Sequence, residues 1–571
     1  MDLNSLISNI ELLILENKNH LNGTTYEELC KLAAGEYFSE GRDNEGIFYL
    51  SEAHAASVRV ETLFQYEICT EKHQSKGTAF APNLEEKYLE FTGEYVQMKY
   101  EGLCRRLAEL PKEWTIVQLT RSYSPSDLWT RRQKGAVPQM RDLHVTRLSC
   151  GGISEPCHVL IPQPFSDEQD GTTSILQMLH DVTLDRSLHM RTESAAKIKA
   201  KRLQNCVLLR NVVREIQTQW IKEWCCLFLG RLCDEELEEL IDSRLKQAFE
   251  ELKFEVTPHI KRLLLHIASG CAHLSEEDID VAVSQIINDP SAQKQVTDCI
   301  YEIKKENLIP VKTKRHPVIL IVDQKLETVP WEACPVLKHH PVSRLPSIHY
   351  VHAIFKHHED TIVNGNKILS TPLSGFYIIN PDLTLQNTEK RIVQFLNMRS
   401  SNWEGLIGKS PSPTEFQNVL TSKDLLLYCG HGNGTQYLNS YSIQELNVKA
   451  LPFLFGCSSV QYNDIGGRLS FRSLSNSYLM ASSPCALGML WNVTNTDTDY
   501  MALTLLNHWL PGKPVDLKNI EGFGNAQYEG GDLQYKEPEL LRVLKVTRDS
   551  AKMFTNGAAL VVYGIPVKLM D

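Results

Sequence analysis

Six short apolar runs in the carboxyl-terminal half of the chain constrain its fold more than any other feature. They lie at residues 318–322, 375–379, 425–428, 452–455, 486–491 and 559–563. Runs this apolar are typical of strands covered on both faces, and helix-length segments separate most of them. The pattern predicts an α/β fold for residues 312–571, built on a largely parallel sheet with covering helices.

The first 110 residues show a different pattern. Helical periodicity runs through two stretches between residues 29 and 55, and a Gly-Arg-Asp-Asn sequence at 41–44 interrupts them. A turn-forming sequence between two periodic stretches predicts a helical hairpin. One or two hairpins cannot close a solenoid, so we expect residues 1–110 to form a short helical cap or the stub of a helical repeat array.

Residues 111–311 combine strands and helices. Three strand-like runs occur at 114–119, 143–148 and 157–161. They predict a small sheet. Helical periodicity returns from about residue 190 to 290, where Ser275 is the expected N-cap of one helix. We therefore expect a small α/β domain at 111–311 with a helical insertion, placed before the domain at 312–571.

The composition excludes several classes of protein. The chain has 571 residues, a net charge of −11 and 15 cysteines without regular spacing. The acidic balance argues against nucleic-acid binding by the whole chain, and no repeated Cys-x-x-Cys pair supports a zinc ribbon. The sequence predicts no membrane span and no signal peptide. We expect a reducing compartment in which the cysteines remain free thiols.

Two of the predicted buried strands end in residues that carry chemistry. The strand at 425–428 runs into Cys-Gly-His-Gly, which places His431 between two glycines, and the strand at 452–455 runs into Gly-Cys, which ends on Cys457. The 26 positions from His431 to Cys457 are enough for one crossover helix. Parallel strands would bring both side chains to the carboxyl-end edge of the sheet, where such folds place their sites.

An imidazole beside a thiol is the arrangement that a cysteine nucleophile needs. The imidazole accepts the thiol proton or stabilises the thiolate, so we predict His431 as general base and Cys457 as nucleophile. Gly430 and Gly432 let the backbone approach a substrate without a Cβ atom. The backbone N–H groups of Gly432 and Cys457 lie at the same strand ends and are candidates for an oxyanion hole.

Each of these features also has a purely structural interpretation. A Gly-His-Gly sequence often holds only a packed or solvent-facing histidine, and a free cysteine is among the most frequently buried residues. A phosphate-binding loop at 430–434 is excluded, because no Gly-Lys-Ser or Gly-Lys-Thr sequence follows. The six histidines between residues 339 and 358 lack the spacing of a metal site and are expected at the surface. We therefore predict no metal and no cofactor.

A series of motifs surrounds these residues in order. They are Val-Pro-Trp-Glu at 329–332, Tyr-Cys-Gly-His-Gly-Asn-Gly at 428–434, Leu-Phe-Gly-Cys-Ser-Ser at 454–459 and Leu-Trp-Asn-Val-Thr at 490–494, with further pieces at 342–347, 377–381, 387–389 and 556–567. Together they resemble the protease signature of the separase family over about residues 317–569. The strand-rich piece at 111–165 and the helical insertion also fit the carboxyl-terminal half of that family.

The resemblance implies a fold, an activity and partners. Separases have a caspase-like α/β fold with a mostly parallel sheet, preceded here by a helical region and a small pseudo-protease-like sheet. They are cysteine endopeptidases whose histidine and cysteine match His431 and Cys457. They cleave the kleisin subunit of cohesin after arginine, with an acidic residue upstream, and so release sister chromatids at anaphase. A securin chaperone inhibits them as a pseudosubstrate. The implied location is the cytoplasm and nucleus, on mitotic chromosomes and at the spindle or centrosome.

An arginine-directed pocket needs a carboxylate, because a guanidinium pairs with it bidentately. We assign substrate binding to Trp491, Asn492, Asp497 and Asp499, with Asp497 as the first choice of carboxylate. The structural alternative for either aspartate is a carboxylate stabilised at a helix N-terminus. The sequence departs from the family here, since Asn492 and Asn495 stand where many relatives carry aspartate.

The length of the helical region is a second departure. Most separases carry a very long helical amino-terminal region, and only about 110 residues are assigned to it here. The chain resembles the short separases, whose regulatory helical half is a separate chain. We therefore expect an obligate protein partner that docks on residues 1–300.

Two other functions are compatible with a caspase-like fold. A catalytically silent interaction scaffold is one, but an inactive site usually loses one of the two catalytic residues, and both His431 and Cys457 are present. A caspase-like peptidase that cuts after aspartate is the other. It would need an arginine-lined pocket, and the segment 490–499 contains no arginine.

Overall fold

The computed structural model describes most of the chain. The described residues are 3–17, 23–77, 82–90, 96–125, 137–164, 174–183, 194–250, 256–399, 402–463, 472–522 and 536–570. Their amino-terminal part is helical, with α-helices at Leu3–Asn17, Gly23–Ser39, Asp43–Ala53, Ala56–Ser75 and Val96–Glu109. A tight turn at Gly41, with φ of 71°, joins the second of these helices to the third, and the predicted helical hairpin is confirmed.

A large twisted sheet organises the rest of the chain. The strands are β1 (Thr115–Arg121), β2 (Leu143–Ser149), β3 (Cys157–Ile161), β4 (Val318–Val322), β5 (Val342–Arg344), β6 (Ile362–Val363), β7 (Asn366–Leu369), β8 (Gly375–Ile379), β9 (Glu404–Ile407), β10 (Leu425–Cys429), β11 (Leu451–Leu454), β12 (Cys485–Met489), β13 (Leu560–Gly564) and β14 (Val567–Leu569). The main sheet has 11 strands in the order β3-β2-β1-β4-β5-β13-β12-β11-β10-β8-β9, and β14-β7-β6 form a small separate one.

Nine of the 11 strands of the main sheet form two parallel halves, and β2 and β3 extend one end of the sheet in antiparallel pairs. β8 to β12 run parallel to one another, and so do β1, β4, β5 and β13, but β12 and β13 pair antiparallel. The two halves therefore present the carboxyl ends of their strands at opposite edges. The strands predicted from the six apolar runs are all present within a few residues of their expected positions, and most are buried over their whole length. The predicted mostly parallel α/β fold is confirmed.

The three amino-terminal strands do not form a sheet of their own. β1 pairs antiparallel with β2 on one side and parallel with β4 on the other, with Thr115 opposite Val318. All seven residues of β1 are buried. A strand covered on both faces leaves backbone donors and acceptors at both edges, and pairing with β4 satisfies the second edge.

The helical insertion between β3 and β4 contains helices at Ile175–Thr183, Ala195–Glu215, Glu235–Glu250, Pro258–Gly270, Glu276–Ile286 and Pro290–Lys305. Ser275 caps the Glu276 helix as predicted. Its hydroxyl accepts from the N–H of Asp278, and the Asp278 carboxylate accepts from the N–H of Ser275, which forms a reciprocal capping box. No helix in the described ranges is both long and apolar enough to span a membrane.

The helices that cover the carboxyl-terminal strands are Ile348–His358, Gln386–Met398, Pro413–Ser422, Ser440–Gln444, Leu474–Met480, Asn495–Trp509, Leu540–Asp549 and Phe554–Gly557. The expectation that the histidines between 339 and 358 lie at the surface is wrong for His340, His349 and His352, which are buried. The Ile348–His358 helix packs beneath the amino-terminal helices, so His349 bonds Glu52 at 2.8 Å and His352 bonds Glu109 at 3.1 Å.

A buried ion pair joins the amino-terminal helices to the sheet. Nζ of Lys31 lies 2.7 Å from Oδ2 of Asp323, the residue that follows β4. Burial would raise the pKa of the Asp323 carboxyl, but the Lys31 ammonium together with the charges of Arg121 and Lys325 outweighs burial and holds that pKa well below its usual range. The amino-terminal helices are thus fixed to the carboxyl ends of the first parallel half, at the edge opposite the candidate site.

Candidate active site

Neighbouring strands β10 and β11 carry the two predicted catalytic side chains to one edge. In their parallel register, Tyr428 lies opposite Leu454. His431 follows Tyr428 by three residues, and Cys457 follows Leu454 by three residues. Both strands are buried throughout. The sheet therefore brings His431 and Cys457 to matched positions just beyond the ends of adjacent strands, as the sequence predicts.

The loops that follow these strands are in contact because Gly456 has no side chain. A Cβ atom at Gly456 would come within 1.8 Å of the carbonyl oxygen of Gly432 and within 2.9 Å of that of Gly430. No other residue leaves room for this approach. The glycine requirement inferred for the His431 loop therefore extends to the Cys457 loop.

The imidazole of His431 is exposed, and one of its nitrogens is held in place. Oγ1 of Thr384 lies 2.8 Å from Nε2 of His431. The His431 carbonyl oxygen accepts a hydrogen bond from the Tyr428 hydroxyl at 2.7 Å, which fixes the backbone of the loop. Nδ1 of His431 bonds to no group in the described part of the chain, so it remains open to a proton from a neighbouring thiol.

The thiol of Cys457 is half-buried and bonds to the segment that follows β12. Its Sγ lies 3.2 Å from the carbonyl oxygen of Val493. The next residue, Ser458, has φ of 53°, donates its N–H to the Trp491 carbonyl and bonds Oδ1 of Asn492 at 2.8 Å. The thiol and the His431 imidazole bond to different partners here. Catalytic hydrogen bonds are often loose without substrate.

The two proposed oxyanion-hole donors lie at these same strand ends. Gly432 has φ of 62°, a conformation that favours glycine. Within the described residues, neither the N–H of Gly432 nor that of Cys457 donates to another group. Both donors are therefore available to a ligand oxygen.

The structure brings Trp491 and Asn492, but neither candidate aspartate, to the cavity beside Cys457. Trp491 is buried and donates its indole N–H to the Thr555 carbonyl at 2.9 Å, whereas Asn492 is exposed beside Ser458. A narrow cavity is lined by Trp491, Asn492, Val493, Thr494, Asn556 and Arg202 among others. Cys457 is not in this lining, but it bonds to Val493, which is. No carboxylate lines the cavity within the described residues.

Asp497 and Asp499 are buried and engaged by groups of the protein. The Asp497 carboxylate accepts from the N–H groups of Lys552 and Met553 and from Nδ2 of Asn556, at 2.7–3.1 Å. Asp499 pairs with Nη1 of Arg391 at 2.7 Å. Burial raises the pKa of Asp499 to about 6, although Arg391 opposes this rise. Of the two, only Asp497 is bonded to residues that line the cavity, Met553 and Asn556.

Sequence reasoning missed two residues of the site. Thr384 follows β8 and orients His431, and the Val493 carbonyl accepts from the thiol of Cys457. The position of Thr384, three residues after the motif at 377–381, was the available signal. The sequence gives no signal for Val493, because Val493 acts through its backbone carbonyl, which every residue has. In the part of the chain that the structure describes, no three His, Cys, Asp or Glu side chains cluster to hold a metal ion.

Three comparisons relate the chain to known proteins. The family model described as "Separin, protease domain" matches residues 141–498. Separin from Schizosaccharomyces pombe is 30% identical over 489 residues, which cover 81% of this chain and 25% of that protein. Separin from Mus musculus is 27% identical over 363 residues, which cover 63% of this chain and 16% of that protein. The chain thus spans a quarter or less of the length of these curated relatives.

Solved structures resemble the whole of this fold. A crystal structure of the Saccharomyces cerevisiae separase–securin complex superposes with a TM-score of 0.69 at 16% sequence identity. The match covers 100% of this chain and 38% of that chain. At this identity the likeness concerns the fold.

Proposed function

The chain belongs to the separase (separin) family, and on that premise we propose that it is a cysteine endopeptidase with Cys457 as nucleophile and His431 as general base. The observation that carries the proposal is the matched position of the two side chains, three residues beyond the paired residues Tyr428 and Leu454. The strands that carry them are neighbours, about 4.8 Å apart, and the loops that hold the two side chains approach each other closely at Gly432 and Gly456.

In the proposed reaction, His431 takes the proton of the Cys457 thiol, and the thiolate attacks the carbonyl carbon of the scissile peptide bond. The backbone N–H groups of Gly432 and Cys457 stabilise the charge that develops on the carbonyl oxygen. His431 then donates its proton to the leaving amine, and water hydrolyses the thioester with His431 again as base. The thiol must first turn away from the Val493 carbonyl.

We propose cleavage after arginine in the kleisin subunit of cohesin, with an acidic residue upstream of the cut, as the biological reaction. It would release sister chromatids at anaphase, in the cytoplasm and nucleus, on mitotic chromosomes and at the spindle or centrosome. Asp497 remains the first choice for the arginine partner, because Asn556 joins it to the cavity beside Cys457. A guanidinium would replace Asn556 as donor to that carboxylate.

Two protein partners belong to the proposal. Securin as inhibitory chaperone is supported by the fold match to a yeast separase–securin complex. A separate helical regulatory chain is supported by an apolar stripe on the Ala56–Ser75 helix. Val60, Phe64 and Ile68 recur every four residues and expose 38%, 59% and 39% of their surfaces. Such a stripe on a helical region is the type of surface that a partner helix covers.

A peptide that ends in arginine acyloxymethyl ketone tests the proposed activity. We expect it to label Cys457, as located by mass spectrometry, and to fail on Cys457→Ser and His431→Ala. Cys233, which is also partly accessible, serves as the internal control, because iodoacetamide should alkylate it in all three proteins while the arginine reagent leaves it unmodified. A folded chain in which the reagent never labels Cys457 would favour the catalytically silent scaffold.

A further inference from the structure

Leu383 combines two unfavourable features beside the candidate site. It exposes 62% of its surface, more than any other large apolar side chain among the described residues. Its backbone also has φ of 57°, the left-handed conformation that non-glycine residues rarely adopt. An exposed apolar side chain on a strained backbone is typical of a functional position, where a ligand makes the missing contact.

A second exposed apolar side chain lies next to it. Ile407, the last residue of β9, exposes 41% of its surface. The following residue is Gly408, where a Cβ atom would come within 2.9 Å of Cδ2 of Leu383. The Leu383 side chain therefore lies over Gly408, the residue that follows Ile407. We call these two side chains, Leu383 and Ile407, the Leu383 patch.

The Leu383 patch lies on the His431 side of the candidate site. The strand order β11-β10-β8-β9 places Cys457, His431, Leu383 and Ile407 in sequence along one edge of the sheet. Thr384, the residue after Leu383, contacts His431 at 2.8 Å. Neighbouring strands are about 4.8 Å apart, so Leu383 lies about 10 Å from Cys457 along this edge. An extended peptide covers that distance in about three residues.

The chemistry of peptide cleavage decides which half of a substrate crosses this patch. His431 protonates the leaving amine, so the half that follows the scissile bond must extend from Cys457 towards His431 and beyond. Resting on the proposed function, we propose that the Leu383 patch binds an apolar side chain at the second or third residue after the cut. The Asp382 carboxylate next to Leu383 accepts a hydrogen bond from the Tyr437 hydroxyl at 2.6 Å.

Paired peptide substrates test the proposal. Two peptides share the sequence up to the scissile arginine and differ only in the third residue after it, leucine or serine. We expect kcat/KM to be about tenfold higher for the leucine peptide, since burial of a leucine side chain on a half-exposed patch gives an effect of this size. A matched pair that differs at the second residue is measured in parallel.

Two variants and one control assign the preference to the patch. Leu383→Asn removes the apolar surface but keeps a residue that tolerates the left-handed conformation, so the turn that holds Thr384 is retained. Ile407→Thr keeps the β-branched shape of the strand residue. We expect both to reduce the leucine-to-serine ratio towards one. Leu160→Thr, which changes a leucine that exposes 49% of its surface on β3 at the far end of the sheet, should leave the ratio unchanged.

An arginine coumarin amide has no amino-acid residue after the cut. Its hydrolysis therefore tests the proposed protease activity separately from the proposed role of the Leu383 patch. If it is hydrolysed while the parent protein shows no apolar preference at either position, the patch proposal is overturned and the proposed function stands. The patch proposal is also overturned if both Leu383→Asn and Ile407→Thr, with melting temperatures near that of the parent, retain the full ratio. If the amide is not hydrolysed and Cys457 is not labelled, the proposed function itself fails.

Discussion

Oγ1 of Thr384 lies 2.8 Å from Nε2 of His431. A hydroxyl oxygen can accept the Nε2 proton, and a neutral imidazole held in this way has its lone pair on Nδ1. That lone pair is the one available to the Cys457 thiol. Thr384 follows β8, the strand next to β10, so the order of strands in the sheet supplies this contact.

Replacing Thr384 by valine should remove this acceptor at nearly constant shape. We expect kcat for an arginine peptide to fall about tenfold with KM unchanged, because one hydrogen bond orients the imidazole. Thr384→Ser should restore most of the activity. A fall in kcat that Thr384→Ser does not restore, together with a lower melting temperature, would indicate a merely structural role.

Gly456→Ala should separate the two catalytic loops. Its Cβ atom would stand 1.8 Å from the Gly432 carbonyl oxygen, so one loop must move by more than an ångström. We expect a loss of about 100-fold or more in kcat/KM, because a displacement of this size disrupts the reacting geometry. Gly35→Ala is the control, since a Cβ atom at Gly35 meets nothing within 4 Å. Full activity in Gly456→Ala would contradict the packed arrangement of the loops.

Asp497→Asn should reduce the preference for arginine over its neutral isostere citrulline. Loss of one member of a buried ion pair costs about 3 kcal/mol, which corresponds to about 100-fold in the ratio of kcat/KM values. The ratio distinguishes a loss of arginine binding from general destabilisation of the protein, because misfolding lowers the rates for the arginine and citrulline substrates equally. Asp499→Asn, which removes the partner of Arg391, should leave the ratio unchanged. An unchanged ratio in Asp497→Asn would place the arginine partner elsewhere.

Glu327 should make the fold less stable as pH rises. Arg344 lies between two carboxylates, with Nη1 3.0 Å from Glu327 and Nη2 2.7 Å from Glu332. Burial raises the pKa of Glu327 from 4.5 to about 7, while Arg344 lowers that of Glu332 despite burial. A carboxyl group whose pKa is higher in the folded protein than in the unfolded chain stabilises the fold when it is protonated. This contribution is complete below the pKa of the group in the unfolded chain, and it is lost as pH rises through about 7.

Thermal unfolding of two variants tests the direction in which stability changes with pH. Glu327→Gln keeps the hydrogen bonds and removes the ionisation, so its melting temperature should exceed that of the parent at about pH 8 and approach it near pH 5. Glu332→Gln should do the opposite and destabilise the protein at about pH 8, since it removes the carboxylate that pairs with Arg344. Equal shifts in both variants at pH 8 would refute the assignment.

The stripe on the Ala56–Ser75 helix should cause self-association of the isolated chain. Phe64, at its centre, exposes 59% of its surface. We expect light scattering to show oligomers of the parent protein and a larger monomer fraction for Phe64→Ser. Leu240→Ser, at another exposed leucine, should scatter like the parent. A parent chain that is monodisperse, soluble and fully active alone would contradict the obligate partner.

The sequence alone determined most of the strands and the two catalytic candidates, whereas the short strands β5, β6, β7, β9 and β14 were not predicted. Buried parallel strands can be recognised in the sequence, because each needs a continuous apolar run. The runs at 318–322 and 425–428 coincide with β4 and β10 to within a residue. His431 and Cys457 follow two such runs directly. Their alignment at one edge therefore follows from the parallel direction of the two strands and their adjacency, which the crossover length indicates.

Only the tertiary structure decided which residues of distant segments meet. The runs of β1 and β4 lie about 200 positions apart in the chain, and nothing local shows that they pair in one sheet. The contact of Thr384 with His431 and the use of Asp497 to hold residues 552–556 depend on which loops lie side by side. A carboxylate after Trp491 has the same local pattern whether it binds a ligand or its own backbone, because the donors that engage it are remote in sequence.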